Sequence, residues 1–217
     1  MENEFIKREL EKYENRQPIY VEKIAEQYAA AFGVDLEEAK KIVEQDLEAE
    51  MENKSFNLRK YRDGIYYLTE QGPLGELGIS KKQLKYDKYF AGSKGYLTGP
   101  TLLNKLGLCT MLPKDEWIAT YDVDPYGTYD DELHCRIIQS RLPVTEDNVK
   151  YLQILDAIKW VMDGYADCDD PDGVIKEYIY KNDLDLNKLG DICDRYYEPE
   201  VLLILDRVLK AGGRDAA

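Results

Sequence analysis

The step Arg62-Asp63-Gly64 constrains the fold of this chain more than any other local signal. Asp-Gly favours the positive backbone angles of a tight hairpin turn. It falls inside Phe56–Leu68, between two runs rich in Tyr and β-formers. Upstream lie helical stripes. Residues 3–14 place Phe5, Ile6, Leu10 and Tyr13 on one face, and Gln17-Pro18 ends that pattern, since proline disfavours helix at the residue before it. Ile19 to Phe32 is expected to form a second helix, closed by Gly33. Asp35 is expected to cap a third, which runs to about Asn53 with Leu36, Ala39, Ile42, Val43, Leu47 and Met51 on its buried side. Three helices followed by a β-hairpin is the element order of a winged helix-turn-helix, expected here over residues 1–70.

Pro73 with Gly72, Gly75 and Gly78 reads as a linker or domain boundary near residues 69–79, and Ser80 to Phe90 returns to a helical pattern. Pro100 fits the first turn of a further helix and Gly107 the left-handed position after it. Glu116 to Tyr121 and His134 to Arg141 read as strands, with Asp122–Glu132 a polar loop between them. From Thr145 the pattern is wholly helical. Thr145 is expected to cap a helix with Glu146 and Asp147 in its first turn and Val149, Leu152, Leu155, Ile158 and Met162 inward. Helices at about 172–181, 186–196 and 199–210 follow, the last stopped by Gly212-Gly213 ahead of a frayed tail. The expected class is α+β: an N-terminal winged helix-turn-helix, then a mixed α/β domain with a helical C-terminal part over residues 71–217.

The 217 residues hold 29 Lys and Arg against 43 Asp and Glu, a net charge of −14. A surface that acidic works against indiscriminate attraction to phosphate backbones or anionic lipid. The charge is unevenly spread: −6 over residues 1–70, +3 over 71–120 and −11 over 121–217. Lys81, Lys82, Lys85 and Lys88 form the heart of the basic middle at helical spacing. They are either an ordinary solvated face or a docking site for an anionic partner or for the protein's own acidic segments. The longest apolar runs, such as Val201–Leu205, fall far short of the roughly 20 residues that span a bilayer. The first residues, mixed in charge, form no apolar signal core, so a cytoplasmic chain with no membrane partner is expected. The four cysteines, Cys109, Cys135, Cys168 and Cys193, sit singly and are expected to be reduced.

Most enzymatic readings fail on inventory. His134 is the only histidine, which excludes two-His metal sites within one chain. No phosphate loop, dinucleotide glycine motif or nucleophile elbow is present. Asp122-Val-Asp124-Pro-Tyr-Gly127 has acids at calcium-loop positions 1 and 3 and glycine at 6 but lacks the later ligands. Asp167-Cys-Asp169-Asp170-Pro-Asp172 departs further, with Pro171 at position 5. Both read as solvated loops. A non-catalytic protein without cofactor or metal is expected. Eighteen Tyr against four Phe supply half-polar surfaces suited to interfaces, a homodimer among them, although Tyr66, Tyr67, Tyr178 and Tyr196 are expected at the edge of the core.

The winged-helix order, followed by Tyr96-Leu-Thr-Gly-Pro-Thr-Leu-Leu-Asn-Lys-Leu-Gly-Leu108, Leu112-Pro113 and Trp117-Ile-Ala-Thr120, resembles the AbiEi-like antitoxins, in particular their shorter bacterial relatives of unassigned function. In that family a Leu-rich helix ending in Leu-Gly-Leu precedes a proline and then a strand. Leu142-Pro-Val-Thr-Glu-Asp-Asn-Val-Lys-Tyr-Leu-Gln-Ile-Leu-Asp-Ala-Ile158 is similar to the family's helical C-terminal part. The resemblance spans about residues 5–205 and rests on packing motifs.

It implies a type IV antitoxin or related regulator of a bacterium, phage or mobile element. Such a protein binds the promoter DNA of its operon through the winged helix and counters a nucleotidyltransferase-like toxin, typically without a stable complex. Arg59, Lys60 and Arg62 on the wing would then meet DNA, and Lys81, Lys82, Lys85, Tyr96, Gly99, Pro100, Asn104, Lys105 and Gly107 would carry the family motif or a protein contact.

The sequence departs from the family in two places. Its third helix, which would enter the major groove, exposes Glu37, Glu38, Glu44, Gln45, Glu48 and Glu52 against only Lys40 and Lys41. Where relatives carry a basic stretch after the central strand, this chain has the acidic Tyr121–Glu132. The competing expectation is therefore a protein-interaction module that keeps the scaffold but has lost DNA binding. An enzyme of unrecognised type stands third.

Overall fold

Burial of one helical stripe after another, closed off by a β-hairpin, builds the first part of the chain. The computed structural model describes residues 2–210. Its chain divides into two units, residues 1–84 and 85–217, each with its own core. The protein is a mixed α+β chain.

In the first unit α1 (Glu2–Leu10), α2 (Val21–Phe32) and α3 (Leu36–Asn53) bury Ile6, Leu10, Ile24, Ala25, Tyr28, Ala39, Val43 and Leu47 against one another. Gly33 ends α2 at φ 69°, and Asp35 caps α3 by accepting from the Glu37 backbone N–H at 3.0 Å. α1 is shorter than its stripe because the chain leaves the helix in successive turns through Tyr13.

β2 (Leu58–Arg62) and β3 (Ile65–Leu68) flank the expected Asp63-Gly64 turn. Ile19 and Tyr20, read above as the start of the second helix, are instead a strand, β1 (Ile19–Tyr20). They pair with Tyr66 and Ile65, and the sheet order is β1-β3-β2. β-formers directly after a proline stay extended when an open strand edge lies within reach.

Residues 69–79 are not a linker. β4 (Glu70–Gly72) and β5 (Gly75–Leu77) form a second hairpin whose Pro73-Leu74 turn uses Gly75 at φ 120°. The Ser80 N–H donates to the Arg16 carbonyl at 2.8 Å, and Arg16 Nε donates to the Gly78 carbonyl at 3.1 Å. These bonds hold the hairpin to the first unit, so that unit extends past the boundary expected at residue 70 to Leu84. α4 (Lys81–Tyr89), with the Ser80 hydroxyl accepting from the Gln83 N–H, carries the division.

The second unit opens with β6 (Gly95–Leu97) and α5 (Gly99–Leu106), with Pro100 in the first turn and Gly107 left-handed at φ 76° as expected. β7 (Glu116–Thr120), β8 (Thr128–Asp130) and β9 (Cys135–Gln139) complete a sheet of order β6-β7-β9-β8. Only β7 and β9 run parallel. β8 lies inside the stretch expected to be all loop.

α6 (Val149–Met162) is the central helix, burying Leu152, Ile154, Leu155, Ala157 and Ile158 among α5, α7 (Pro171–Lys181), α8 (Leu186–Tyr196) and α9 (Pro199–Lys210). It starts at Val149 rather than just after Thr145. The Asn148 side chain accepts from the Thr145 N–H and donates to the Pro143 carbonyl, which fixes a turn and leaves Glu146 and Asp147 ahead of the helix. The expected stop at Gly212-Gly213 lies outside the described residues. Among the described residues no helix is long and apolar enough to cross a membrane.

Candidate functional site

The hairpin of the first unit turns its cations onto the protein's own acids. Glu44 and Glu48 stand one turn apart on α3, and Lys60 Nζ lies 3.3 Å from Glu44 Oε1 and 3.4 Å from Glu48 Oε1. Asp63 in the turn adds a third carboxylate at 3.3 Å. Desolvation works against the Lys60 charge, but hydrogen bonds to Asp63, Glu44 and Glu48 outweigh it and hold the ammonium well above its ordinary pKa. Arg59 donates from Nη2 to Glu76 Oε1 at 2.8 Å, so the second hairpin answers the first. Arg62 is exposed at the end of β2 opposite Ile65. On the outer side of α3, Glu37, Glu38, Gln45, Glu48 and Glu52 are exposed, and Lys40 is engaged by Glu37 and Glu22 at 3.1 and 3.3 Å.

The basic middle of the sequence separates in the same way. Lys81 and Lys82 are exposed in the first turn of α4. Lys85 Nζ reaches Glu116 Oε2 at 2.6 Å, and Lys88 Nζ reaches Asp130 Oδ2 at 2.7 Å, with the Tyr89 hydroxyl donating to that same oxygen. Against some desolvation, Lys88 and Tyr89 lower the Asp130 carboxyl to about 2.

The motif Tyr96–Leu108 is largely structural. Asn104 donates to the Cys109 carbonyl at 3.2 Å, Pro100 is buried, Lys105 is exposed and Gly107 closes α5. Gly99 is held at φ 56°, and a Cβ there would lie 3.1 Å from the Trp117 ring. Gly99→Ala is expected to cost about 1–2 kcal/mol, from the left-handed conformation together with this close approach, as measured by urea unfolding.

Tyr96 leads to a feature that its spacing did not announce. Asp156 sits on α6 among core residues at 8% exposure. Its Oδ2 accepts from the Tyr96 hydroxyl at 3.0 Å and from Thr98 Oγ1 at 2.7 Å, and its Oδ1 accepts from the Tyr197 hydroxyl at 2.8 Å. Burial raises the Asp156 pKa, opposed by these three hydroxyls and by Arg141. The signal in the sequence was an acid one turn after Leu152 and directly beside Leu155, where a helix buries its face.

Asp156 lines a cavity of about 570 Å³ at the carboxyl ends of β7 and β9. Gln139 ends β9 at it and Ser140 and Arg141 follow, Tyr121 follows β7, and Lys159, Trp160 and, just past the helix end, Asp163 continue the stripe of Asp156 on α6. Arg141 pairs with Glu198 at 3.0 Å, and Lys159 pairs with Asp163 at 2.7 Å.

Several acids of the loops Asp122–Gly127 and Asp167–Asp172 have structural work. Asp124 Oδ1 accepts from the Tyr126 N–H, Asp167 accepts from the N–H and hydroxyl of Thr110, and Asp170 caps α7 through the Gly173 N–H. Among the described residues no group of three or more His, Cys, Asp and Glu side chains is placed to hold a metal ion. The four cysteines are free thiols, and burial pushes those of Cys135 and Cys193 up to about 11.

The sequence matches no protein-family model and no curated protein.

Proposed function

We propose that the first unit is a winged helix-turn-helix used for protein contact, and that the chain is an interaction module built on the scaffold of the AbiEi-like regulators rather than a reader of promoter DNA. The order α1, β1, α2, α3, β2, β3, with the short β1 paired to β3, supports the winged-helix reading. The observation that carries the functional reading is Lys60, held between Glu44 and Glu48. A cation engaged by two carboxylates releases little from a phosphate backbone, and the helix that would enter the groove presents acids. The complementary partner is a basic protein surface.

The experiment is an electrophoretic shift of the full chain with the DNA upstream of its own gene. At about 50 mM salt the wild-type protein is expected to give no retarded complex. The double variant Glu44→Lys/Glu48→Lys leaves Lys60 with only Asp63 of its three carboxylates and changes the local charge by about four, so its non-specific DNA affinity should rise at least about tenfold with a steeper salt dependence. A salt-sensitive wild-type complex would favour the second reading, a promoter-binding antitoxin that counters a nucleotidyltransferase-like toxin. The observation in favour of that reading is the position of Arg62, an exposed residue at the end of β2 next to the hairpin turn.

A further inference from the structure

We propose that the cavity at the carboxyl ends of β7 and β9 binds a small zwitterion of the free amino-acid type, its ammonium on Asp156 and its acid group on Arg141 and Lys159. Among the described residues Asp156 has no ion-pair partner, only three hydroxyl donors. A carboxylate offers about four acceptor positions. Oδ2 accepts two donors and Oδ1 one, so Oδ1 has room for one further N–H. A buried carboxylate without a cation is costly unless it binds one or takes up a proton.

Lys159, one turn further along α6, lines the same cavity but does not supply that cation. It is instead hydrogen-bonded to both oxygens of Asp163, at 2.8 and 2.7 Å. Arg141 packs over the Tyr197 ring and pairs with Glu198. Both pairs are part-exposed and contribute little to stability, so a ligand acid group can exchange with Glu198 and Asp163. The lining therefore offers an anion in its depth and exchangeable cations at its mouth, which matches a molecule carrying one charge of each sign.

Two further features fit. The volume of about 570 Å³ lies within the range of about 300–1,000 Å³ usual for small-molecule sites. Ligands of sheets with parallel strands commonly sit outside the carboxyl ends of those strands, where β7 and β9 end here. Tyr121 and Trp160 give an apolar wall for a side chain or methylene stem.

The test is thermal unfolding of the full chain with each of the common L-amino acids at about 10 mM, followed by calorimetry on those that act. At least one is expected to raise Tm by about 3 °C. Acetate and methylamine, which carry the two charges separately, should each raise it by less than half as much. Asp156→Asn and Arg141→Gln are each expected to weaken binding at least about tenfold. Should Asp156→Asn fail to fold, Arg141→Gln decides, since it alters an exposed side chain. The proposal is overturned if no amino acid shifts Tm, if one single-charge fragment reproduces the full shift, or if Arg141→Gln binds as the wild type does.

Discussion

Replacing Asp156 by leucine is expected to destabilise the chain by about 3 kcal/mol in urea unfolding, despite exchanging a buried charge for an apolar side chain. The reason is what remains behind. Tyr96, Thr98 and Tyr197 all direct hydroxyls at this carboxylate, and two of those three residues are almost fully enclosed. Each orphaned donor costs about 1–3 kcal/mol, reduced where a hydroxyl finds another acceptor, as Tyr197 can at the Leu152 carbonyl 3.5 Å away. Asp156→Asn keeps one acceptor oxygen and should cost only about 1–2 kcal/mol. Asp156→Leu combined with Tyr96→Phe, Thr98→Val and Tyr197→Phe should recover most of the loss, because no donor is then left without an acceptor. A Leu variant as stable as the wild type would mean that the three hydroxyls do not depend on Asp156.

The same carboxyl fixes the sign of a pH effect. Its folded pKa is raised above the ordinary 3.8 by burial. The folded chain therefore holds this proton more readily than the unfolded chain does, and the associated stability is fully present below pH 3.8 and lost as pH rises through the folded value. The difference in unfolding free energy between wild type and Asp156→Asn should narrow as pH rises from about 4 to about 7. A constant difference over that range would show that the carboxyl is not raised.

The elements that could be read from the sequence are those whose cause is local. Asp35 caps α3 through Glu37 two residues on, and Asp63-Gly64 closes a hairpin within its own turn. Pro100 and Gly107 bracket α5 by backbone preference alone. Ile19-Tyr20 carries no local mark of a strand because its partners are Tyr66 and Ile65, and a two-residue strand has no periodicity of its own. Residues 69–79 carry the same glycines whether they form a linker or a hairpin, and what separates the two is the pairing of β4 with β5 together with the bonds from Arg16 to Gly78 and from Ser80 to Arg16.

The candidate sites were less legible for the same reason. Lys60 counts as a free cation until the register of β2 on α3 sets it between Glu44 and Glu48. The donors to Asp156 come from positions 60, 58 and 41 residues away, so nothing near it in the sequence marks it as bound. Local spacing did reveal the lysines of the basic middle. It did not reveal that Lys85 and Lys88 answer Glu116 and Asp130.

Glu50 provides the opposite case to Asp156 and the second large expected effect. It lies on the inner face of α3 at 0% exposure, in line with Val43 and Leu47. Among the described residues neither of its oxygens has a hydrogen-bond partner, and its one ion-pair contact is Lys7 Nζ on α1 at 3.5 Å. A buried carboxylate held by a single partly exposed cation recovers little of its desolvation cost, and apolar replacements at such pairs are often neutral or stabilising by about 1–4 kcal/mol. Glu50→Met, close in volume and adaptable in shape, is therefore expected to raise the unfolding free energy, with the gain read in urea at neutral pH. Lys7→Met removes that countercharge and leaves the acid buried, so it should move the other way by about 3 kcal/mol. In the double variant Lys7→Met should cost almost nothing, because no buried charge remains for it to expose. The two acids differ in their donors: three converge on Asp156 and none on Glu50. A loss of stability in Glu50→Met as large as in Asp156→Leu would mean that the number of donors does not govern how a buried carboxylate is tolerated in this chain.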